Sequence, residues 1–148
     1  MYKKRIKLLI NPRSLSFKFI VPNMEDSVGI QKVMGFSRGY HHSNSIRLGI
    51  KKKKDAIILY LYMYVKGEFM IKPLHKTFKV GDKLSCILEF KDNVMVANVD
   101  GYESWHYFER MCTLPIGYQL NPYAEKDGVE NEQIELKIDI WDVKWNEK

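Results

Sequence analysis

Three tyrosines, Tyr60, Tyr62 and Tyr64, stand at alternate positions of AIILYLYMYV. In an extended chain that spacing sets their rings in a row on one face. Flat rings with polar tips can stack on sugar rings or on a partner's side chains while their hydroxyls stay hydrogen-bonded. A second group lies upstream in GFSRGYHHSNSIR, where Arg38, His41, His42, Asn44 and Arg47 supply donors for the hydroxyl or acidic groups of a ligand. These eight residues are the candidate binding set. The ordinary alternative is that tyrosine favours strands and the stripe simply covers a sheet face. Gly35 and Gly39 in the same stretch read as a bend that needs tight backbone turns.

Other reactive residue types form no site. His41 and His42 are adjacent, and on an extended chain adjacent side chains point to opposite faces, so they do not chelate one ion. Cys86 shares parity with Leu84, Leu88 and Phe90 and reads as a core residue. With Cys112 it makes too few cysteines for a disulfide framework, although a bridge between the two is left open. Cys112 and His106 are only weak evidence for a nucleophile and base. The chain carries no nucleophile elbow, P-loop, dinucleotide fingerprint or His-Glu-x-x-His motif. No catalytic residue and no metal ligand is assigned.

The elements that must position the candidate set are strands. LSFKFIV places Leu15, Phe17, Phe19 and Val21 on one side, and NSIRLGIK alternates Ile46, Leu48 and Ile50 with Ser45, Arg47 and Gly49. Both read as strands with one wet face. Ile57 to Val65 turns at Lys66-Gly67 and returns through Glu68 to Lys72, a β-hairpin. KLSCILEF turns at Lys91-Asp92-Asn93 and returns as VMVANVD, a second hairpin ending at Asp100-Gly101. In QIELKIDIWDV, Ile134, Leu136, Ile138 and Ile140 face inward and a closing strand from Gln133 to Val143 is expected. Trp141, Val143 and Trp145 then fall on its polar side, through either a bulge or rings that cover an open edge. At most a turn or two of helix is expected, from Ser104 to Met111.

Many short strands, hairpin turns and almost no helix define an all-β antiparallel two-sheet sandwich. A length of 148 residues, 45% of them hydrophobic, suits a single domain spanning 1–148. Lys and Arg number 24 against 18 Asp and Glu, a formal charge of +6. Much of the excess sits in Lys3, Lys4, Arg5 and Lys7 and in Lys51 to Lys54, which read as a solvated terminus and a solubilising turn, so a nucleic-acid partner is not expected. No stretch has the length of a membrane span. The basic opening resembles the start of a signal peptide, but its apolar run ends at Asn11-Pro12-Arg13, too short for export. A cytoplasmic location is expected if Met1 is the true start, and an extracytoplasmic one if a leader has been removed.

The segment FKVGDKLSCILEFKDNVMVANVDGYE, with Val80-Gly81-Asp82 leading into a hairpin that ends at Asp100-Gly101, resembles the concanavalin A-like lectin and glucanase superfamily, including its laminin-G-type modules. GYQLNPYAEKDGVENEQIELKI, a Pro-Tyr loop before the closing strand, is similar to bacterial modules of this type, and the pattern extends over roughly residues 12 to 143. The resemblance implies a jelly-roll sandwich with a curved sheet whose concave face or rim loops often bind glycans. Its glucanases place paired carboxylates on one strand as Glu-x-Asp-x-x-Glu. Here Lys137 stands at the nucleophile position and Asp142 at the acid/base position, so the pair that a retaining mechanism needs is not intact. Glu135, Asp139 and Asp142 read instead as the solvent face of the strand. Legume-type lectins hold calcium on a loop, and Asn121, Glu125, Asp127, Glu130 and Asn131 offer oxygens, but no spacing specifies a site and no cofactor is assigned.

The expectation is therefore a non-enzymatic module that binds carbohydrate through the tyrosine face and the adjoining Arg38 to Arg47 loop. The alternative is a structural or assembly protein using the same fold for protein contacts, and the third reading is a polysaccharide-active enzyme.

Overall fold

The computed structural model describes residues 6–24, 29–109, 114–125, 133–134 and 136–147. Its strands in chain order are β1 (Leu8–Ile10), β2 (Pro12–Ile20), β3 (Gln31–Ser37), β4 (Ser45–Lys53), β5 (Ala56–Val65), β6 (Glu68–Phe78), β7 (Lys83–Lys91), β8 (Val94–Val99), β9 (Tyr102–Tyr107), β10 (Ile116–Leu120), β11 (Ala124–Glu125), β12 (Gln133–Ile134) and β13 (Ile140–Glu147). They form a six-stranded sheet, β1-β10-β3-β4-β5-β6, and a five-stranded sheet, β13-β2-β7-β8-β9, with β11 and β12 as a small separate pair. All pairings are antiparallel. Among the described residues no helix is long and apolar enough to cross a membrane.

The sandwich follows from period-two patterning on both sheets. Leu59, Leu61, Met63 and Val65 on β5 and Ile46, Leu48 and Ile50 on β4 point into one core, where they meet Leu15, Phe17 and Phe19 of β2 and Leu84, Cys86 and Leu88 of β7. Removing these side chains from water supplies the main drive to bring the two sheets together. Phe36 ties them directly, since its ring packs edge-on against Phe90 at 5.3 Å and Trp145 at 5.8 Å, both on the other sheet. Cys86 is free and fully enclosed, and burial pushes its thiol well above the usual range. Cys112 lies outside the described residues.

The two hairpins form at the expected turns, with Lys66 and Gly67, and Asp92 and Asn93, all at positive φ. Several other expectations give way. The Ser104 to Met111 segment starts as strand, not helix: Tyr102–Tyr107 pairs with β8 at the edge of its sheet, and its outward rings, Trp105 and Tyr107, disguise the alternation. Residues 110–113 lie outside the description. The closing strand runs over Ile140–Glu147, later than expected. Leu136 and Ile138 are buried as expected, yet they precede the strand, and the Ile134 side chain lies outside the description.

A bulge settles the phase change at the C-terminus. The register of β13 on β2 shifts between Trp141 and Lys144, and Asp142 sits at φ 52°. One inserted residue lets both Ile140 and Trp145 pack against the core while Trp141 turns outward.

Nor is the segment with Gly35 a bend. It is β3, all of whose residues from Gln31 to Ser37 are buried. Gly39 does occupy a turn, at φ 88°. Ser45, Arg47 and Gly49 on β4 are likewise covered, so the expected wet face of β4 is closed over.

Candidate functional site

The outer face of the six-stranded sheet carries most of the candidate residues. Arg47 on β4 lies in register with Tyr62 on β5 and with Gly35 on β3. Glycine at 35 leaves room for the arginine stem, because an added Cβ would lie 2.6 Å from Arg47 Cγ. Only 7% of Arg47 is exposed. Its Nη2 donates to the Asn121 main-chain oxygen at 2.6 Å, its guanidinium lies 4.8 Å from the Tyr123 ring centre, and its Nε finds no acceptor. Desolvation lowers the Arg47 pKa from its ordinary value, yet guanidinium remains charged at neutral pH.

Strand β3 adds Lys32, which is also buried. Its main chain bridges to Tyr123, donating and accepting at 3.0 and 3.1 Å. Its Nζ lies 5.1 Å from the Tyr62 ring and 5.2 Å from the Tyr123 ring. Two cations thus gather about one tyrosine, each held partly by its π-face.

The loop between β3 and β4 supplies the histidines. Residues 41–43 form a turn, so the extended-chain argument fails there and the His41 and His42 rings converge, with centres 4.1 Å apart. Tyr118 on β10 accepts the His41 main-chain N–H at 2.9 Å, and its hydroxyl lies 2.6 Å from His41 Nδ1. Ser45 Oγ donates to the His41 carbonyl at 2.7 Å and holds the turn on β4. His42 sits 5.1 Å from the Tyr64 ring, and its Nδ1 is 3.0 Å from the Tyr40 hydroxyl.

His41, His42, Arg47, Tyr118, Gln119, Asn121 and Tyr123, with Leu120 and Pro122, enclose a cleft of about 370 Å3. None of these side chains is a carboxylate. Beside it, half-buried Tyr62 and Tyr64 continue the surface, with Phe69 of β6 at 4.8 and 5.7 Å. Tyr60 lies one step further along the same row, opposite Gly49 and Pro73.

Two members of the candidate set lie elsewhere. Asn44 is buried, and its Oδ1 accepts the Lys66 main-chain N–H at 3.2 Å, bracing the β5–β6 turn. Arg38 lines another cleft, of about 450 Å3, with Arg13, Glu89, Lys91 and Asp92. There it donates to Asn11 Oδ1 and lies 5.8 Å from the Phe90 ring.

Lys32, Tyr118, Gln119 and Tyr123 were not anticipated. The segment holding the last three, GYQLNPY, reads in sequence as a Pro-Tyr loop before the closing strand, with Asn121 as its one candidate ligand residue. Of the residues with oxygens to offer calcium, Asn121 has its main-chain oxygen on Arg47 and its Oδ1 accepting from Gln119 Nε2 at 3.1 Å. Asp127, Glu130, Asn131 and the Glu125 side chain lie outside the description. Among the described residues, no group of three or more His, Cys, Asp and Glu could hold a metal ion. Asp139 and Asp142 are exposed and belong to the β13 side of the other sheet, where Asp142 pairs with Lys18 at 3.4 Å.

Burial lowers the His41 pKa from its ordinary value, and His42 and Arg47 add to the shift by repulsion. A histidine with a lowered folded pKa binds its proton better when unfolded. Its stabilising effect is therefore full above about pH 6.5 and is lost as pH falls through the lowered value. His106 is shifted in the same direction by desolvation and by Lys72. The urea midpoint should accordingly drop between about pH 7 and pH 5. His41→Gln should flatten the portion of that slope that His106 does not supply, and identical slopes in the two proteins would remove His41 from the account.

Two stacked antiparallel sheets in this order make a jelly-roll sandwich. Among solved structures, the chain is similar to alginate lyase from Alteromonas sp. 272, with TM-score 0.57 and 9% identity over 93% of this chain and 73% of that one. It is similar to a congerin II double mutant, with TM-score 0.52 and 9% identity over 96% of this chain and 100% of that one. Scytalido-glutamic peptidase, solved with a peptide-based transition state analogue, gives TM-score 0.52 and 10% identity over 95% and 72%. Identities this low establish the fold alone. No protein-family model matches the chain, and no curated protein matches it. A lyase and a peptidase on one fold leave function to be argued from the site.

Proposed function

We propose that this protein binds carbohydrate at the cleft between Arg47, His41, Tyr118 and Tyr123, with Tyr62 and Tyr64 extending the contact surface. The observation that carries the reading is the union of two surfaces that a saccharide requires. Half-buried rings offer apolar faces for the C–H side of a sugar, and a cleft beside them offers fixed donors and acceptors for its hydroxyls. A fold neighbour named as an alginate lyase supports the reading in kind.

Screening against a glycan array, followed by calorimetry on the best ligand, tests it. Tyr62→Ala should weaken binding about tenfold, the loss expected for one stacked ring, while the protein stays folded by circular dichroism. Binding to no saccharide, or a Tyr62→Ala affinity equal to that of the unaltered protein, would overturn the reading.

The second reading, protein assembly, rests on a different observation. Edge strand β1 and its neighbour β10 expose Leu8, Ile10 and Ile116, which form a contiguous apolar margin. Self-association in sedimentation experiments together with an empty glycan screen would favour it.

A further inference from the structure

We infer that the cleft selects acidic saccharides, seating a carboxylate or a sulfate ester against Arg47. The inference rests on the carbohydrate-binding reading and names the ligand class for that same site.

Its basis is a buried cation whose partners among the described residues are all neutral. Arg47 is more than nine-tenths buried, and among the described residues it meets a main-chain oxygen and a tyrosine and no carboxylate. A buried charge is costly unless another charge or a full set of hydrogen bonds compensates it. Here compensation is incomplete, since Nε has no acceptor. Among the described residues, no carboxylate lines the cleft. His41, which also lines the cleft, is held toward its neutral form by burial and by repulsion from His42 and Arg47, so the described walls bring cations and neutral groups only. An anion entering from solvent is the missing partner, and a charge-assisted hydrogen bond in such surroundings is stronger than a neutral one.

The other cleft is a poorer candidate because of its lining charges, although Arg38 Nε also finds no acceptor. Around Arg38 stand Glu89 and Asp92 as well as Arg13 and Lys91, so both signs are already present.

Carboxylate and sulfate share the negative oxygen pair, and Arg47→Lys separates them. Lysine keeps the charge but loses the planar fork that matches a carboxylate. The test measures calorimetric affinity for three oligosaccharides of equal length, a neutral oligogalactoside, an oligogalacturonate and a sulfated oligogalactoside. At least one acidic form should bind about thirtyfold or more tighter than the neutral one, and Arg47→Gln should collapse that preference to within about threefold. If the carboxylate is the native group, Arg47→Lys should cut oligogalacturonate affinity about tenfold. A smaller loss, with the sulfated form preferred, assigns the sulfate.

Should Arg47→Gln fail to fold, salt provides the second reading on the unaltered protein. Raising ionic strength should lower the acidic preference and leave neutral binding in place. Equal affinity for neutral and acidic forms overturns the inference and leaves the carbohydrate reading standing. Binding to none of the three nor to any array glycan removes both.

Discussion

Phe36→Ala is expected to lower the unfolding free energy by about 4 kcal/mol, the range for deleting a fully enclosed aromatic side chain. Phe36 has no exposed surface, and its ring meets Phe90 of β7 and Trp145 of β13 across the sandwich. Alanine would leave a void between the sheets and remove two edge-on ring contacts together. In a protein of this length that loss corresponds to a melting point about 12 °C lower. Urea unfolding followed by tryptophan fluorescence reads it directly, because Trp145 is one of the partners. A loss below about 1 kcal/mol would mean that the sheets close without this contact. Ligand affinity, measured where the variant is folded, should change little, since the ring points away from the cleft.

The same strand explains what could and could not be read from residue order. Where one face was wet, alternation carried much of the fold: β2, β5 and β7 have the one-sided sets read from LSFKFIV, LYLYMYV and KLSCILEF, and β8 is the return strand read from VMVANVD. Strand β3 gave no such signal, because Gln31 to Ser37 is covered on both sides and loses the polar alternation that marks a strand. For the same reason Arg47 read as a solvent-facing residue. Its cover comes from Asn121 and Tyr123, more than seventy positions away, and no local spacing reports such a contact. Lys32 and Tyr118 escaped notice in the same way. The helix expected around Trp105 failed through a related ambiguity, since an edge strand with exposed rings lacks the apolar-in, polar-out contrast. The tyrosine row and His41 were legible as residue types; their convergence on one cleft was a property of the sheet.

Gly35→Ala, one residue from Phe36 and on the other face, should damage both stability and the site. A Cβ at position 35 would overlap the Ile46 carbonyl oxygen and stand 2.6 Å from Cγ and 2.8 Å from Cα of Arg47. Two of these three atoms are backbone, so rotating a side chain cannot relieve the clash. Strands β3 and β4 must move apart at the pair that holds Arg47 in register. Overpacking of this kind costs about 3 kcal/mol, and the urea midpoint should report it. Separation of the strands also displaces the guanidinium from Asn121 and Tyr123, so affinity for an acidic oligosaccharide should fall about tenfold or more even at temperatures where the variant is folded. Gly29→Ala is the control. Position 29 has open space around its Cβ direction and no positive φ, so that change should stay within about 0.5 kcal/mol and preserve binding. If Gly35→Ala matched the control in both measurements, the close approach of β3 to Arg47 would not be what shapes the cleft. A loss of stability alone would separate the packing role of Gly35 from the positioning of Arg47, and the arginine would then owe its place to Asn121 and Tyr123.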